Sequence, residues 1–219
     1  MQALCDVILP CRDEAAALPA VLSQVPETCR ALVVDNGSVD GTGQVAALGG
    51  ARVIYEPCAG YGAAVQAGVE AASAEYVAVL DGDGSIDPRA VLPLLDLVMT
   101  GQATMAVGRR RPVGRDSWPW HARIGNHLLV WWLRRHTGLR VRDMAPIRVC
   151  RRDDLLALGV QDRRFGYPAE LLVRAQRQGW SIVERDGDSG RRAAGTRSKV
   201  SGTVTGTVLA AFDMGRVLS

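Results

Sequence analysis

Short runs of Val, Ile and Leu recur along the first hundred residues, spaced far enough apart to leave room for a helix between neighbours. CDVILP (5–10), ALVVDN (31–36), ARVIY (51–55), YVAVLD (76–81) and ATMAVG (103–108) are near-continuous in apolar character and short, as strands buried on both faces are. The stretches 13–24, 40–49, 61–74 and 88–99 carry helix-like mixtures of apolar and polar positions. Asp40, at the end of a DNGSVDGT turn, and Asp87, directly before Pro88, mark helix starts, because a carboxylate can cap the first orphan N–H groups and proline suits the first helical position. Strands alternating with helices predict right-handed βαβ units and a mostly parallel sheet flanked by helices, a Rossmann-like α/β fold. Ligand-binding residues are then expected in the loops at the carboxyl ends of the strands.

Beyond Gly108 the pattern changes. RRRPVGRDSWPW is a basic loop, and HARIGNHLLVWWLRRHTG predicts an amphipathic helix capped by Gly138. APIRVC (145–150) and WSIVERD (180–186) read as strands, while RRDDLLALG and YPAELLVRAQRQG read as helices. DGDSGRRAAGTRSK (186–199) is Gly-rich and charged, the composition of a mobile surface loop, and the tail VSGTVTGTVLAAFDMGRVL predicts a weaker amphipathic helix. No linker interrupts the chain, so residues 1–219 are expected to form a single domain, with 1–108 and 109–219 as two functional halves.

Composition narrows the classes. At 219 residues, with 47% hydrophobic and 22% charged, the chain is an ordinary globular protein rather than a disordered or fibrous one. Its longest apolar runs, such as LLVWWL, fall short of a membrane span, and the N-terminus lacks a basic leader, so a cytoplasmic protein is expected. Five scattered cysteines without a C-x-x-C pair suggest reduced thiols rather than disulfides or zinc. The net charge of +3 hides an asymmetry: residues 1–100 carry four arginines against thirteen acidic residues, whereas residues 101–164 carry fourteen against five. Such a basic block suits a phosphate-bearing partner or an anionic membrane surface, or is a solvated face. No nucleic-acid-binding motif accompanies it, so nucleic acid is not expected.

Three strand-to-loop segments carry candidate chemistry. In DGDGSIDP (81–88), Asp81 ends a buried strand and Asp83 follows two residues later, so both carboxylates can converge on one hard divalent cation, with glycines permitting the tight turn. In VVDNGSVDGT (33–42), Asp35 can accept hydrogen bonds from a base or sugar while Gly37, Ser38 and Gly41 shape the turn; an Asx turn feeding a helix is the plainer alternative. In GYGAAVQAG (60–68), Gly60 and Gly62 open a helix whose N–H groups can face an anion. The segment is neither G-x-G-x-x-G nor a P-loop, which disfavours dinucleotide and P-loop nucleotide binding.

VILPCRDEAAAL, VVDNGSVDGT, GYGAAVQAGVEAA and YVAVLDGDGSIDP, in this order, resemble the nucleotide-binding half of a family 2 glycosyltransferase of the GT-A fold. GRRR (108–111), RDMAPIRVCRRDDL, FGYPAELLVRAQRQGWSIVE and GTRSKVSGTVTGT resemble its dolichol-phosphate mannose synthase-like branch, which includes bacterial polyprenyl-phosphate glycosyltransferases. The resemblance covers essentially the whole chain. It implies that Pro10, Arg12, Glu14 and Asp35 hold the base and ribose, and that Asp81 and Asp83, with Ser85, hold a Mg or Mn ion. It further implies that Arg109, Arg123 and Arg197, with Asn126, Arg148, Ser198 and Lys199, serve the donor diphosphate and an acceptor phosphate, and that Glu170 stands on the acceptor side. Tyr61 occupies a position where relatives often carry Lys, and Ala145-Pro146 replaces a small or glycine-aromatic pair.

The implied activity is metal-dependent, inverting transfer of a hexose from a nucleoside diphosphate sugar, with UDP or GDP as the nucleotide, to a polyprenyl phosphate. A metal ion and arginines neutralise the leaving diphosphate, with Arg197 and Lys199 closing over it from the 186–199 loop as a lid. A phosphate acceptor needs no strong base, its second pKa being about 6; a hydroxyl acceptor would need Glu170 to deprotonate it. Trp118, Trp120, Trp131 and Trp132 beside the arginines suit peripheral contact with an anionic bilayer, or packing. The alternatives are a soluble family 2 enzyme with a small phosphorylated or hydroxyl acceptor, and a sugar-nucleotide-binding protein without turnover.

Overall fold

The computed structural model of the chain describes residues 3–112, 130–135, 137–139 and 141–189. Seven strands form one sheet: β1 (Cys5–Cys11), β2 (Cys29–Asp35), β3 (Arg52–Tyr55), β4 (Tyr76–Val79), β5 (Met105–Pro112), β6 (Ile147–Arg151) and β7 (Ile182–Ser189). Their order is β3-β2-β1-β4-β6-β5-β7. All neighbours are parallel except at β6, which runs antiparallel to both β4 and β5. The mostly parallel α/β sheet expected from the apolar runs is therefore present. Of the two strands from the second half of the chain, β6 is inserted beside β4 and β7 lies outside β5, so the two halves share one sheet.

Helices cover both faces. On one side α1 (Leu18–Leu22) and α4 (Val91–Met99) bury Leu18, Val21, Leu94, Leu95 and Val98 against Val7, Leu9, Ala78, Ala106 and Val149. A shorter α2 (Thr42–Leu48) adds Ala46 to this face. On the other, α3 (Tyr61–Ala71), α5 (Arg152–Ala157) and α6 (Tyr167–Arg177) bury Ala64, Val65, Val69, Leu155, Leu171 and Leu172 against Ile8, Val34, Val77, Val79, Met105 and Val107. Alternate residues of the strands serve opposite layers, the period-two consequence of the pleat, and burial on both faces explains why β1, β2 and β4 carry few polar residues.

One buried charge fixes the edge opposite the loops discussed below. Asp6, at 0% exposure, accepts from Nε and Nη2 of Arg30 at 2.8 and 2.9 Å and from the backbone N–H groups of Ser73 and Ala74 at 2.7 and 2.9 Å. A fully buried carboxylate is tolerated because every lone pair direction meets a donor.

Two expected elements differ. The helix expected over 13–24 is reduced to Leu18–Leu22, because residues 13–15 are drawn away to bond the loop after β2. The loop expected over 186–199 starts later, since residues 186–189 continue β7 alongside β5. Residues 130–135 are helical, within the helix expected there; Val130 and Leu133 are buried, Trp132 packs against the core and Trp131 is 63% exposed.

Candidate functional site

The carboxyl ends of β1, β2 and β4 bring three loops together. The loop after β1 and the loop after β2 are stitched by four polar side chains: Ser38 Oγ accepts from the Asp13 N–H at 3.0 Å, and Thr42 Oγ1 from the Glu14 N–H at 2.9 Å. Asp40 accepts from the Ala15 N–H at 3.0 Å, and Asp13 from the Val39 N–H at 2.8 Å. Against its partial burial, which acts the other way, the Thr42 hydroxyl and the N–H groups of Ala15 and Thr42 hold Asp40 below the usual carboxylate range. This lattice presents Asp35, whose Oδ1 accepts from the Ser38 N–H at 2.9 Å. Asp35 and Glu14 are buried, while Arg12 is exposed at the mouth and Pro10 half-buried. Gly37 takes the turn with φ +78°.

The third loop follows β4. Leu80 still bonds Ile8 in β1, and the chain then turns through Asp81, Gly82, Asp83 and Gly84. Asp83 is 6% exposed, and its Oδ1 accepts from the Ser85 N–H at 2.9 Å. Asp87 caps the following turn by accepting from the Arg89 N–H at 2.9 Å. Beneath the loop lies Cys11, the last residue of β1: a methyl group built on Gly82 would stand 2.4 Å from its Sγ. Burial, and then the carboxylates of Glu14, Asp35, Asp81 and Asp83, push the Cys11 thiol far up. Four carboxylates from three loops thus act on one buried sulfur, which locates a concentration of negative charge at this end of the sheet. Among the described residues no group of three or more His, Cys, Asp and Glu gathers as a closed metal cage. Two carboxylates at a strand end are a donor set suited to a hard cation that completes its shell with water and ligand phosphates.

The remaining expected residues divide. Arg148, 6% exposed on β6, donates to the Tyr61 hydroxyl at 3.2 Å and to the Met144 carbonyl at 2.9 Å; its Nε is buried with no hydrogen-bond partner among the described residues. It lies buried in register with Val79, near the end of β4. Arg109 is paired with Asp186 at 2.6 Å, its in-register neighbour on β7, so its charge is already engaged. Gly60 and Gly62 do not free the start of α3 for an anion: the N–H groups of Gly62 and Ala63 donate to the carbonyls of Arg164 and Arg163 at 3.0 and 2.9 Å. These glycines permit that close approach, since a Cβ at either would stand 2.1 or 2.5 Å from a carbonyl oxygen of residues 162–163. Glu170 is likewise engaged by neighbouring donors. Its carboxylate accepts from the N–H groups of Gln161 and Asp162, at 3.0 and 2.7 Å, and from Arg174 Nε at 2.6 Å. Arg123, Asn126, Arg197, Ser198 and Lys199 lie outside the described residues, as do Trp118 and Trp120.

Asn36 escaped the sequence reading. Its Nδ2 donates to the carbonyls of Glu56 and Cys58 at 3.0 and 2.7 Å, and its Oδ1 accepts from the Gly60 N–H at 2.8 Å. One side chain thereby ties the loop before α3 to the residue next to Asp35. Its place directly after Asp35, in a turn-rich segment, is the only sequence signal it gives.

A mostly parallel α/β sheet flanked by helices, with acidic residues in the loops at the carboxyl ends of β1, β2 and β4, is a GT-A-like fold. The model of the family described as Glycosyl transferase family 2 matches residues 6–152, and the chain belongs to that family. It is 52% identical over 213 residues to an uncharacterized glycosyltransferase of Mycobacterium tuberculosis, covering 97% of both chains. It is 33% identical to the polyprenol monophosphomannose synthase of Mycolicibacterium smegmatis over 90% of this chain and 81% of that one. The fold superposes on glucosyl-3-phosphoglycerate synthase of Mycobacterium tuberculosis, solved with Mn2+, UDP and glucosyl-3-phosphoglycerate, with a TM-score of 0.78 at 20% identity, over 99% of this chain and 78% of that one. The same enzyme has been solved with Mg2+ and UDP.

Proposed function

We propose that this glycosyltransferase moves a hexose, with inversion, from a nucleoside diphosphate sugar to a polyprenyl phosphate at the cytoplasmic membrane face, using Mg2+ or Mn2+. The observation that carries the reading is that Asp35, in register with Cys11 across β1 and β2, and the Asp81–Asp83 loop, whose Gly82 abuts the Cys11 sulfur, flank the same end of β1. In this reading Asp35 meets the nucleoside, and Asp81 and Asp83 hold the cation against the diphosphate. The cation supplies charge neutralisation of the leaving group. Asp13, Ser38, Asp40 and Thr42 keep the nucleoside loops in register, and Arg123 and Arg197, with Lys199, complete the anion binding in this reading. The polyprenyl acceptor draws support from the 33% identical polyprenol monophosphomannose synthase. The exposed Trp131 supplies an aromatic anchor for the bilayer interface. No helix among the described residues is long and apolar enough to cross a membrane, so contact with the lipid is peripheral in this reading.

The test is transfer of labelled sugar from UDP- and GDP-hexoses with Mn2+, offering polyprenyl phosphate in detergent and 3-phosphoglycerate in parallel. Labelled lipid is the expected product. Labelled phosphoglycerate with no labelled lipid would replace the polyprenyl acceptor by a small phosphorylated one, the class of molecule bound in the superposed synthase. Label transferred to neither acceptor would reject both.

A further inference from the structure

Hydrogen bonds run without a break from the acceptor-side helix to the nucleotide-side loops. Glu170, 7% exposed in the first turn of α6, accepts at Oε1 from Arg174 Nε at 2.6 Å and Gln161 N–H at 3.0 Å, and at Oε2 from Gln161 and Asp162 N–H at 3.1 and 2.7 Å. Those contacts hold the segment 161–164, whose carbonyls at Arg163 and Arg164 accept from the first N–H groups of α3. The same end of α3 is held by the Gly60 N–H on Asn36 Oδ1, and the Asn36 N–H donates to the Cys11 carbonyl at 2.9 Å. The segment 161–164 fits against α3 only because Gly60 and Gly62 lack side chains.

We infer that Glu170 is a positioning residue, the anchor of a hydrogen-bonded brace that joins the acceptor half to the nucleotide loops. This rests on the transferase reading above. Three donors engage its two carboxylate oxygens, so taking a proton from an acceptor hydroxyl would cost hydrogen bonds of the brace.

The experiment compares wild type, Glu170→Gln, Gly62→Ala and the double variant by thermal unfolding, by calorimetric binding of UDP and GDP with Mn2+, and by transfer between pH 6 and 9. Glu170→Gln is expected to lower Tm by about 5 °C or more and to weaken nucleotide binding about tenfold, with the shape of the pH profile unchanged. Gly62→Ala strains the brace from its other side, and the double variant is expected to be little worse than the worse single one, as for residues acting as a unit. Arg174→Gln, which strips one donor at a partly exposed position, moves Tm and affinity the same way by less, and serves if Glu170→Gln does not fold. Wild-type Tm and affinity in Glu170→Gln, with kcat down about 100-fold and its rise with pH gone, would make Glu170 a base and overturn the inference. So would fully additive losses in the double variant, or loss of kcat alone in Arg174→Gln. A wild-type protein that binds neither nucleotide defeats the transferase reading instead, and the brace is then judged on the thermal cycle.

Discussion

Replacing Gly82 with Ala adds one methyl group between the two aspartates of the β4 loop, and the structure says where it goes. Its carbon would lie 2.4 Å from Cys11 Sγ, with Cys11 Cβ and Leu18 Cδ2 at 3.9 Å. Non-bonded heavy atoms rest at about 3.5–4.0 Å, so the loop or the sulfur must retreat by more than about 1 Å. Cys11 is 2% exposed at the end of a strand paired on both sides, so its sulfur has little room to retreat. The loop therefore moves and takes Asp81 and Asp83 with it. Overpacking of this kind costs about 1–3 kcal/mol, which for a chain of this length lowers Tm by about 3–10 °C. The functional loss is larger, since a displacement of about 1 Å in a reacting constellation costs about 100-fold. The assay is thermal unfolding with Mn2+-dependent nucleotide binding and turnover, repeated on Gly82→Ala/Cys11→Ala, where the obstructing sulfur is gone. The double variant should bind and turn over better than Gly82→Ala alone. Wild-type binding in Gly82→Ala, or a double variant no better than the single one, would refute the claim that Cys11 sets the height of the aspartate loop.

Three further outcomes follow from the same geometry. Asp83→Ala should lose cation-dependent nucleotide affinity by about 100-fold while retaining the fold, because one of two carboxylates offered to the cation is removed; near-wild-type affinity, read by calorimetry, would remove the metal assignment. The hydrogen bond with Cys5, working against burial, lowers the Cys29 thiol to about 7, whereas burial pushes up Cys11 and Cys150. Peptide-resolved alkylation of the native protein should therefore show Cys29 gaining reactivity as pH rises through about 7, with Cys11 and Cys150 protected; labelling of Cys11 ahead of Cys29 would contradict the burial described. Asp40, held low by Thr42 and Ala15 against its desolvation, contributes stability that is full above the ordinary carboxylate range and is lost as pH falls through its lowered folded value. Asp40→Asn should thus be less stable than wild type at neutral pH, with the gap closing in acid; a gap that widens in acid would reverse the sign of that linkage.

The layered sheet was legible because buried parallel strands leave a strong mark, and every run read as a strand became one within a few residues of its expected ends. Which strand neighbours which was not legible. The insertion of Ile147–Arg151 antiparallel between β4 and β5 depends on contacts distant in sequence that leave no local pattern. Helix α1 shrank because Asp13, Glu14 and Ala15 bond the following loop instead of their own turn, a competition between side-chain and helical hydrogen bonds that sequence spacing does not resolve. At the site, Asp35, Asp81 and Asp83 stood out because carboxylates at strand ends are conspicuous. The resemblance drew attention to Arg109 and Glu170, and the place at a helix start to the Gly60–Gly62 pair, but their partners, Asp186, the Gln161–Asp162 backbone and the Arg163–Arg164 carbonyls, leave no local pattern. Cys11 and Asn36 were invisible as site residues because their importance lies entirely in what they touch.

The claim on which the rest depends is that the ends of β1, β2 and β4 form a cation-dependent nucleotide-sugar site. Calorimetric titration of the wild-type chain with UDP- and GDP-hexoses, with Mn2+ and with chelator, tests it directly. One donor should bind in the presence of Mn2+ and lose most of its affinity in chelator. Binding of equal strength in both conditions would contradict the role given to Asp81 and Asp83, and binding of no donor in either would contradict the site itself.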